Sequence, residues 1–406
     1  MRISGRAGAD QVPLDIRFGH YLRQGGSRMQ IKRLNGFEVA MKNRFRVGIV
    51  GVSTGRGWGT TAHIPALRAL SDVFETAGVA NTSLASAKAA AAAFGIPRAF
   101  ESVAELVASP DIDVVAVTVK VPHHREVVAA ALKAGKHVYC EWPLGTGLAE
   151  ATELAELARR SKVRAVVGTQ ATASPEVEMV RKMVADGYVG DVLSSTYLGS
   201  GPTWGDEVTR GDSYVMDSRN SATMLAIIGG HAIAAVQSVL GPIDEIAGVL
   251  SQRRKNVRIV ETGNTIPMQT HDHVMVNAVL NSGAPLSLEI RGGLPRGIRL
   301  LWEINGTLGD IRVTATNDEV PVINITPLRV EAGRKGDQGY RALEVEEAHD
   351  FEFVASRNVA AIYRQMAEDL TRGTSVAPDF DDAVALHNII DAIEKSDQTG
   401  KRVRID

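Results

Sequence analysis

The sequence FRVGIVGVSTGRGWGTTAHIPAL, residues 45–67, decides the fold prediction. Its apolar run at residues 47–50 is rich in β-branched side chains, which predicts a buried strand. Four glycines follow between positions 51 and 59, and Thr60 or Thr61 can cap the helix that continues into HIPALRAL. A strand, a glycine-rich turn and a helix start are the parts of a phosphate cradle, because backbone amides and the helix N-terminus attract an anion.

The turn departs from the usual G-x-G-x-x-G spacing, since Ser53 stands two residues after Gly51 and the other glycines come late. An insertion in the turn accounts for this spacing, and a tight turn without a ligand is the alternative. We predict that a nucleotide cofactor binds to the turn. The residues expected to contact it are Gly51, Ser53, Thr54, Gly57 and Trp58.

A second predicted strand, residues 74–80, ends where a dinucleotide fold meets the adenosine ribose. An Asp or Glu at that place would select NAD, and the sequence has neither there. Asn81 and Ser83 are expected to face the ribose instead, and the Asn81 amide can hydrogen-bond a 2′-hydroxyl without repelling a 2′-phosphate. Lys88, on the next predicted helix, could hold that phosphate. The sequence therefore predicts NAD or NADP and leaves the choice open.

Length and composition indicate the class of protein. The chain has 406 residues, 44% hydrophobic and 23% charged, which predicts two globular domains with a full core. A net charge of −2 argues against nucleic acid as the main partner. The single cysteine, Cys140, excludes an internal disulfide and fits a cytoplasmic location. We expect no apolar run of membrane-spanning length and no membrane partner.

Residues 1–40 are rich in arginine and glycine, without sustained periodicity or the apolar segment of a secretory signal. Two explanations are open: a disordered basic extension, or residues that precede a natural start at Met41. The second is favoured, because the organised pattern begins directly after Met41.

Strand-like and helix-like segments alternate over residues 41–170, which predicts a doubly wound parallel α/β sheet of the Rossmann type. Residues 171–406 contain successive strand-like runs without helices between them, which predicts an α+β domain with a large, mostly antiparallel sheet. Helices are expected again at residues 359–371 and 379–396, packing back on the first domain. A long sheet with one uncovered face favours a homo-oligomer, a dimer or a tetramer.

Several segments together resemble the Gfo/Idh/MocA oxidoreductase family, which includes glucose–fructose oxidoreductase and inositol dehydrogenase. Besides the opening stretch, they are HHREVVAAALKAGKHVYCEWPLG, MVADGYVGDVLSS, GGHAIAAVQSVLG, EINGTLGDIRV and DFDDAVALHNIIDAIEKSDQTGKRVRI, in the family's order. The resemblance covers nearly all of the chain after residue 41. It implies a nucleotide-binding domain, a second domain used for oligomer contacts, NAD(P) as cofactor, and carbohydrate-like substrates such as sugars or cyclitols.

The sequence departs from the family pattern where the chemistry is done. The family's Glu-Lys-Pro reads Glu141-Trp142-Pro143. An indole N–H only donates hydrogen bonds, so it cannot accept and return a proton at neutral pH as the lysine could. The family's Pro-Asn pair after the fourth strand reads Lys120-Val121. Glu141 and Trp142 are still expected to border the nicotinamide, with the indole as a flat apolar wall. A core position for the indole is the alternative.

These departures coincide with one branch of the family. The Glu-Trp pair, KVPHHREVV, the GWG of the turn, and SYVMD followed by GGH all resemble this branch. It includes the fungal galactose-regulon inhibitor, which binds NAD(P) and acts by holding a transcriptional activator.

His231 is the candidate for proton transfer, because histidine titrates near neutrality. The family's aspartate four residues earlier reads Ile227, and the one three residues later reads Ala234. Tyr214, in a loop-like stretch that could close over a substrate, is the second catalytic candidate. A histidine satisfied at a helix start and an ordinary surface loop are the alternatives.

Three further residues near the ends of predicted strands, Val119, His124 and Gln170, are expected to line the cofactor. The triplet His-Asp-His at residues 271–273 resembles a set of metal ligands. Alternation on a strand would send its aspartate to the face opposite the two histidines, so no metal site is predicted.

Three functions stay open from the sequence. The first is an NAD(P)-dependent oxidoreductase acting on a carbohydrate-like secondary alcohol or its ketone. The second is a regulatory protein that binds NAD(P) without turning it over. The third is a sugar-processing enzyme that uses a tightly held cofactor without net redox change. The first is favoured, because most proteins of the family are enzymes.

Overall fold

The computed structural model describes residues 44–294, 296–317, 320–345 and 351–405. The prediction made for residues 1–40 lies outside this described part. The described residues form one compact unit. Two large sheets organise this unit, and the domain boundary near residue 170 stays a prediction.

A six-stranded parallel sheet occupies the first part of the described chain. Its strands are β1 (Phe45–Val50), β2 (Phe74–Ala80), β3 (Ala99–Phe100), β4 (Val114–Val117), β5 (His137–Glu141) and β6 (Ala165–Gly168). They lie in the order β3-β2-β1-β4-β5-β6. The direction of winding reverses between β1 and β4, so the predicted doubly wound sheet is confirmed. The short β3 has no counterpart in the sequence prediction.

Helices cover this sheet on both faces. They are α1 (Ile64–Ala69), α2 (Leu84–Phe94), α3 (Val103–Ala108), α4 (His124–Lys133) and α5 (Leu148–Ser161). Adjacent β-strand residues point to opposite faces. On β4, Val115 belongs to the hydrophobic cluster that contains Leu132 of α4, whereas its neighbour Val114 belongs to the cluster that contains Leu67 of α1. The strands are buried on both sides, as expected for a parallel sheet.

The second part of the chain is built on a nine-stranded sheet. The remaining strands are β7 (Val192–Gly201), β8 (Glu207–Val208), β9 (Ile243–Ser251), β10 (Asn256–Ile259), β11 (Thr265–Pro267), β12 (His273–Leu280), β13 (Pro285–Gly292), β14 (Leu301–Gly306), β15 (Gly309–Ala315), β16 (Leu328–Arg334), β17 (Arg341–Leu343) and β18 (Val403–Arg404). The large sheet has the order β17-β16-β15-β14-β7-β13-β12-β9-β18, and β11-β10-β8 form a small one. Neighbours in the large sheet are antiparallel except β7 and β13, which confirms the mostly antiparallel prediction.

The large sheet buries one face and exposes the other. On β12, Val274 and Val276 point into the core, whereas Met275 and Asn277 are exposed. The period-2 pattern of the sequence therefore sets which side chains pack beneath the sheet. The opposite face carries mixed polar and apolar side chains.

The remaining helices are α6 (Pro175–Ala185), α7 (Gly230–Leu240), α8 (Val354–Arg372) and α9 (Phe380–Thr399). Val359, Tyr363 and Met366 of α8 belong to the same hydrophobic cluster as Ile49 of β1. The C-terminal helix α9 lies so close to β9 that a Cβ on Gly248 would stand 2.7 Å from an Ile393 side-chain carbon. The last helices thus pack against elements of both sheets.

One stretch of the described chain, Ser218–Leu240, is long and apolar enough by composition to cross a membrane. The expectation that no run approaches that length is therefore wrong as a statement about composition. In the structure, 67% of its most apolar window is buried inside the protein. The stretch ends in α7, which packs within the core, and this burial explains its apolar character.

Candidate nucleotide and substrate site

The glycine-rich turn lies at the point where the parallel sheet changes its direction of winding. Gly51 follows β1 with a φ of +108°, and a Cβ there would stand 2.9 Å from Val119 Cγ1 and 3.0 Å from the Thr118 carbonyl carbon. The turn therefore passes too close to the end of β4 for any side chain at Gly51. Residues 53–57 are exposed, and a Cβ on Gly55 would meet open space. This leaves a stretch of accessible main chain at the ligand-binding edge of the sheet.

The turn enters a short π-helical segment, Gly59–His63, which continues into α1. Trp58 precedes it, and no side-chain cap is found there among the described residues. The Thr60 hydroxyl donates to the Ser53 carbonyl, and the Thr61 hydroxyl donates to the Gly57 carbonyl. The expected threonine cap is therefore wrong, because both hydroxyls hold the turn instead. Helix N–H groups without a cap favour an anion nearby.

Asn81 fastens the end of β2 to the glycine-rich turn. Its side-chain oxygen accepts from the Val52 N–H at 2.9 Å, and its amide nitrogen donates to the Val52 carbonyl at 2.7 Å. Ser83 caps α2 by accepting from the Ser86 N–H at 3.2 Å. Both predicted ribose residues thus have structural hydrogen bonds. Their expected contact with the ribose stays a prediction.

His124 joins the ends of β4 and β5. Its ring nitrogens lie 2.9 Å from the Val119 carbonyl oxygen and 2.8 Å from the Pro143 carbonyl oxygen. Burial lowers the pKa of this imidazole. The ring therefore positions these two strand ends. Of the three predicted cofactor-lining residues, Val119, His124 and Gln170, it is Val119 that lies beside the glycine-rich turn.

A chain of buried hydrogen bonds surrounds Glu141 at the end of β5. Glu141 Oε1 accepts from His63 Nε2 at 2.7 Å, and its Oε2 accepts from Gln170 Nε2 at 2.6 Å. The Tyr363 hydroxyl lies 2.9 Å from His63 Nδ1 and donates to it when Nε2 carries the proton. His63 and Tyr363 are absent from the sequence prediction, although His63 belongs to the HIPAL segment of the opening motif.

Trp142 is buried, with only 5% of its surface exposed. Its indole N–H donates to the Ala226 carbonyl at 2.8 Å, and its ring centroid lies 4.7 Å from that of His387 on α9. The expected flat wall against the nicotinamide does not fit this placement, because the indole is packed between α7 and α9. The alternative of a core position describes it better.

Close packing of Trp142 on α7 gives a test of its structural role. A Cβ on Gly230 would stand 2.3 Å from the indole nitrogen, so Gly230→Ala is expected to displace the indole and lower the free energy of unfolding by about 1–3 kcal/mol. Gly229→Ala is the matched control, because its Cβ would meet a flexible Leu225 methyl at 3.1 Å. Urea denaturation of both variants measures the difference. Equal stability of the two variants would contradict the packing.

His231 begins α7 and is only 4% exposed. Its Nε2 accepts from the Asn324 side-chain amide at 3.3 Å, and that amide also lies 3.5 Å from Gln170 Oε1. His231 Nδ1 has no hydrogen-bond partner among the described residues. Burial lowers the pKa of His231 to about 3. The ring is therefore neutral at physiological pH and a weak proton acceptor, which argues against the predicted role as base.

The low pKa of His231 predicts how stability depends on pH. Between the unfolded-state pKa of about 6.5 and the folded value, the unfolded chain binds a proton that the folded chain does not. The protein therefore becomes less stable as the pH is lowered through this window. For this one group the loss is about 2 kcal/mol between pH 7.5 and pH 5. Urea denaturation across this range should reveal the loss. His231→Gln should remove that part of it, and an unchanged pH dependence would contradict the buried neutral ring.

Tyr214 lies in a 3-10 turn, Ser213–Met216, of the predicted loop. The Lys120 ammonium, just beyond β4, stands 4.4 Å from the centre of its ring. Burial, with a smaller contribution from Asp212, raises the pKa of Tyr214 to about 12. Tyr214 is therefore a phenol that donates hydrogen bonds at neutral pH. A second contact joins the same segment to the turn, because Arg56 Nη1 donates to Thr209 Oγ1 at 3.1 Å.

Residues 271–273 have other partners than a metal. The Asp272 carboxylate accepts from the N–H groups of Arg253 and Arg254 at 2.7 and 2.9 Å. His273 Nε2 lies 2.8 Å from Glu289 Oε1 on the neighbouring strand. In the part of the chain that the structure describes, no group of three or more His, Cys, Asp or Glu side chains is placed to hold a metal ion.

Known proteins similar to this chain fall into two functional groups. Residues 45–169 match the Gfo/Idh/MocA oxidoreductase family with an NAD-binding Rossmann fold, and residues 175–315 match the C-terminal domain of Gal80p. The chain is 24% identical to the galactose/lactose metabolism regulatory protein GAL80 of Kluyveromyces lactis, over 92% of this chain and 98% of that protein. It is 28% identical to the dehydrogenase aclE of Aspergillus oryzae, over 89% of this chain and 98% of that protein.

A solved structure shows the same fold. The super-repressor mutant of Gal80p from Saccharomyces cerevisiae matches with a TM-score of 0.81 at 22% identity, covering 89% of this chain and 98% of that chain. The two domain matches and the similar proteins together confirm the resemblance stated from the sequence motifs, including its branch.

Proposed function

Because residues 45–169 match the Gfo/Idh/MocA oxidoreductase family with its NAD-binding Rossmann fold, we propose that this protein is an NAD(P)-dependent oxidoreductase. Its substrate is a sugar- or cyclitol-like secondary alcohol or the corresponding ketone. The observation that carries the proposal is the exposed main chain of the glycine-rich turn, at the winding reversal between β1 and β4. Dinucleotides bind at this point of doubly wound sheets.

The residues of the turn fit a pyrophosphate. Gly51 leaves no room for a side chain, whereas Ser53, Thr54 and Gly57 are exposed beside an uncapped helix start. Together with Trp58, these residues would hold the cofactor. When bound, the nicotinamide supplies the group that accepts or gives a hydride.

The chain must orient the substrate and provide hydrogen bonds to its reacting oxygen. Tyr214 is suited to donate such a bond, because its raised pKa keeps the phenol protonated. His231, neutral and with Nδ1 unpartnered among the described residues, would act as a second donor.

Either NAD or NADP is compatible with the end of β2. The Asn81 side chain is an uncharged amide that is hydrogen-bonded to Val52. It therefore does not repel a 2′-phosphate. Binding of both nucleotides has to be compared directly.

A regulatory protein that binds NAD(P) without turning it over is the second candidate. Trp142 occupies the core where the family has its lysine, and the low pKa of His231 removes a base. The similarity to GAL80 of Kluyveromyces lactis supports this alternative, whose partner would be a protein. The similarity to the dehydrogenase aclE supports the enzyme.

We also propose that the chain forms a homo-oligomer through the exposed face of the nine-stranded sheet. Met275 and Val249 lie opposite each other on that face, 40% and 52% exposed. Apolar side chains on an open sheet face favour pairing with a second copy. The cytoplasmic location stays a prediction.

The experiment that decides between the two functions uses the purified full-length protein. Binding of NADH and NADPH is measured by nicotinamide fluorescence, and nicotinamide absorbance is then followed with a panel of sugars and cyclitols. A change of absorbance with any substrate supports the oxidoreductase. Binding without any change supports the regulatory protein, and failure to bind either nucleotide would overturn both proposals.

A further inference from the structure

Lys120 lies three residues after β4, near the point where the winding of the parallel sheet reverses. It follows Val119, whose side chain would meet a Cβ on Gly51, so the amine lies close in sequence to the wall of the nucleotide cradle. Dinucleotides cross such an edge with the pyrophosphate on the glycine-rich turn and the nicotinamide toward the strands beyond it. The backbone of Lys120 therefore stands on the side where the reacting end of the cofactor is expected.

The side chain of Lys120 extends toward the second part of the chain. Its ammonium lies 4.4 Å from the ring centre of Tyr214, which is a cation–π contact. In the ranges that the structure describes, no carboxylate forms an ion pair with it. Such a contact is weak at an exposed site, so it orients the amine and leaves the amine available to another group.

Arg56 makes the corresponding contact from the turn. Its guanidinium donates to Thr209 and fills the space beside Gly211, five and three residues before Tyr214. The segment 209–214 thus spans the edge of the parallel sheet from the glycine-rich turn to the end of β4. A substrate bound beneath this segment would have the Lys120 amine and the Tyr214 phenol at one side.

We propose that Lys120 takes the hydroxyl proton of the substrate when the alcohol is oxidised and returns it when the ketone is reduced. This inference rests on the proposed oxidoreductase function. In the oxidation, the C–H bond breaks and its electron pair moves as hydride to the oxidised nicotinamide, which is the oxidant. The O–H bond breaks as well, and its proton passes to Lys120, which for this direction first releases one proton of its ammonium to solvent; a carbonyl and an ammonium result. In the reduction, the ammonium that lies over Tyr214 gives its proton directly to the carbonyl oxygen. Trp142 cannot serve in this way, because its N–H only donates and is bonded to Ala226.

The first test asks whether Lys120 faces the nucleotide and needs no turnover. The full-length protein is labelled with a trace of acetic anhydride with and without NADH, and the acetylation of individual lysines is read by mass spectrometry. NADH should reduce labelling of Lys120 and leave Lys133, exposed at the end of α4, unchanged. Equal labelling of Lys120 in both conditions would overturn its placement.

The second test asks whether Lys120 carries the proton. Lys120→Ala should bind NADH within about twofold of wild type but lose about 10²–10⁴-fold in kcat/KM, the usual contribution of a positioned acid–base group. Added ethylamine should restore part of the activity of Lys120→Ala in proportion to its concentration. Lys120→Arg should stay impaired, because a guanidinium does not release its proton in proteins. Lys133→Ala is the matched control and should behave as wild type.

The two proposals fail in different ways. If wild-type protein binds NADH and turns over no sugar or cyclitol, the oxidoreductase function is wrong and the proton transfer falls with it. If wild-type protein is active and Lys120→Ala or Lys120→Arg keeps its full rate, the inference about Lys120 alone is overturned.

Discussion

Glu141→Ala is expected to lower the free energy of unfolding by about 2–6 kcal/mol, since each of two buried donors left without an acceptor costs about 1–3 kcal/mol. The donors are His63 Nε2 and Gln170 Nε2, at 2.7 and 2.6 Å from the carboxylate. His63 is fully buried, so water does not replace the lost acceptor without rearrangement of the core. Urea denaturation monitored by circular dichroism measures the change.

Glu153→Ala is the matched control for this prediction. Glu153 on α5 forms an ion pair with Arg125 at 2.7 Å. Both side chains are about half exposed, Glu153 at 47% and Arg125 at 51%. Exposed pairs of this kind contribute little to stability, because water and salt screen the charges. A loss for Glu141→Ala no larger than for Glu153→Ala would show that the buried hydrogen bonds around Glu141 are not made.

The Glu141 carboxylate shows which features of the structure can be predicted from local sequence and which cannot. The strand that ends at Glu141, the alternation of strands and helices before it and the antiparallel runs after it all follow from periodicity, which is local. The partners of Glu141 are not local. His63 lies 78 residues away in sequence, and the Tyr363 hydroxyl that completes the pair lies 300 residues from His63. Such pairings depend on how α8 folds back on the first sheet, which no short pattern specifies.

Burial accounts for the site residues whose predicted roles do not fit. Trp142 and His231 have the residue types and positions expected of a cofactor wall and a base. Their chemistry changes because the indole packs against Gly230 of α7 and His387 of α9 and because the imidazole is buried. The Asn81 amide is hydrogen-bonded to the main chain of the turn, and its expected contact with the ribose stays a prediction.

These placements redistribute the chemistry expected of the site. The family's lysine position holds an indole whose N–H donates to the Ala226 carbonyl. The amine that we propose in place of that lysine is Lys120, which follows the neighbouring strand β4 and lies over the Tyr214 ring. An enzyme and a regulator built on this fold would share the cradle and differ in whether that amine meets a reacting hydroxyl. Nucleotide binding alone therefore does not separate the two functions, and substrate turnover does.

Gly51→Ala is expected to weaken binding of NADH and NADPH by about 100-fold or more, or about 2.7 kcal/mol. The residue has a φ of +108°, which alanine rarely adopts, and its Cβ would stand 2.9–3.0 Å from three atoms of Thr118 and Val119. Either the turn or the end of β4 must move, and the main-chain amides that we propose as the pyrophosphate site would move with it. Fluorescence titration with each nucleotide measures the loss, and circular dichroism verifies that the variant is folded.

Gly55→Ala, in the same turn, is the matched control. It adds the same methyl group where the backbone conformation and the surrounding space allow it. Its φ is not positive and its Cβ would meet nothing within 4 Å, so this variant should bind both nucleotides within about twofold of wild type. Strong loss in both variants would mean that the whole turn contacts the nucleotide closely. Tight binding by Gly51→Ala would mean that the nucleotide does not lie on this turn, and the proposed site would have to be abandoned.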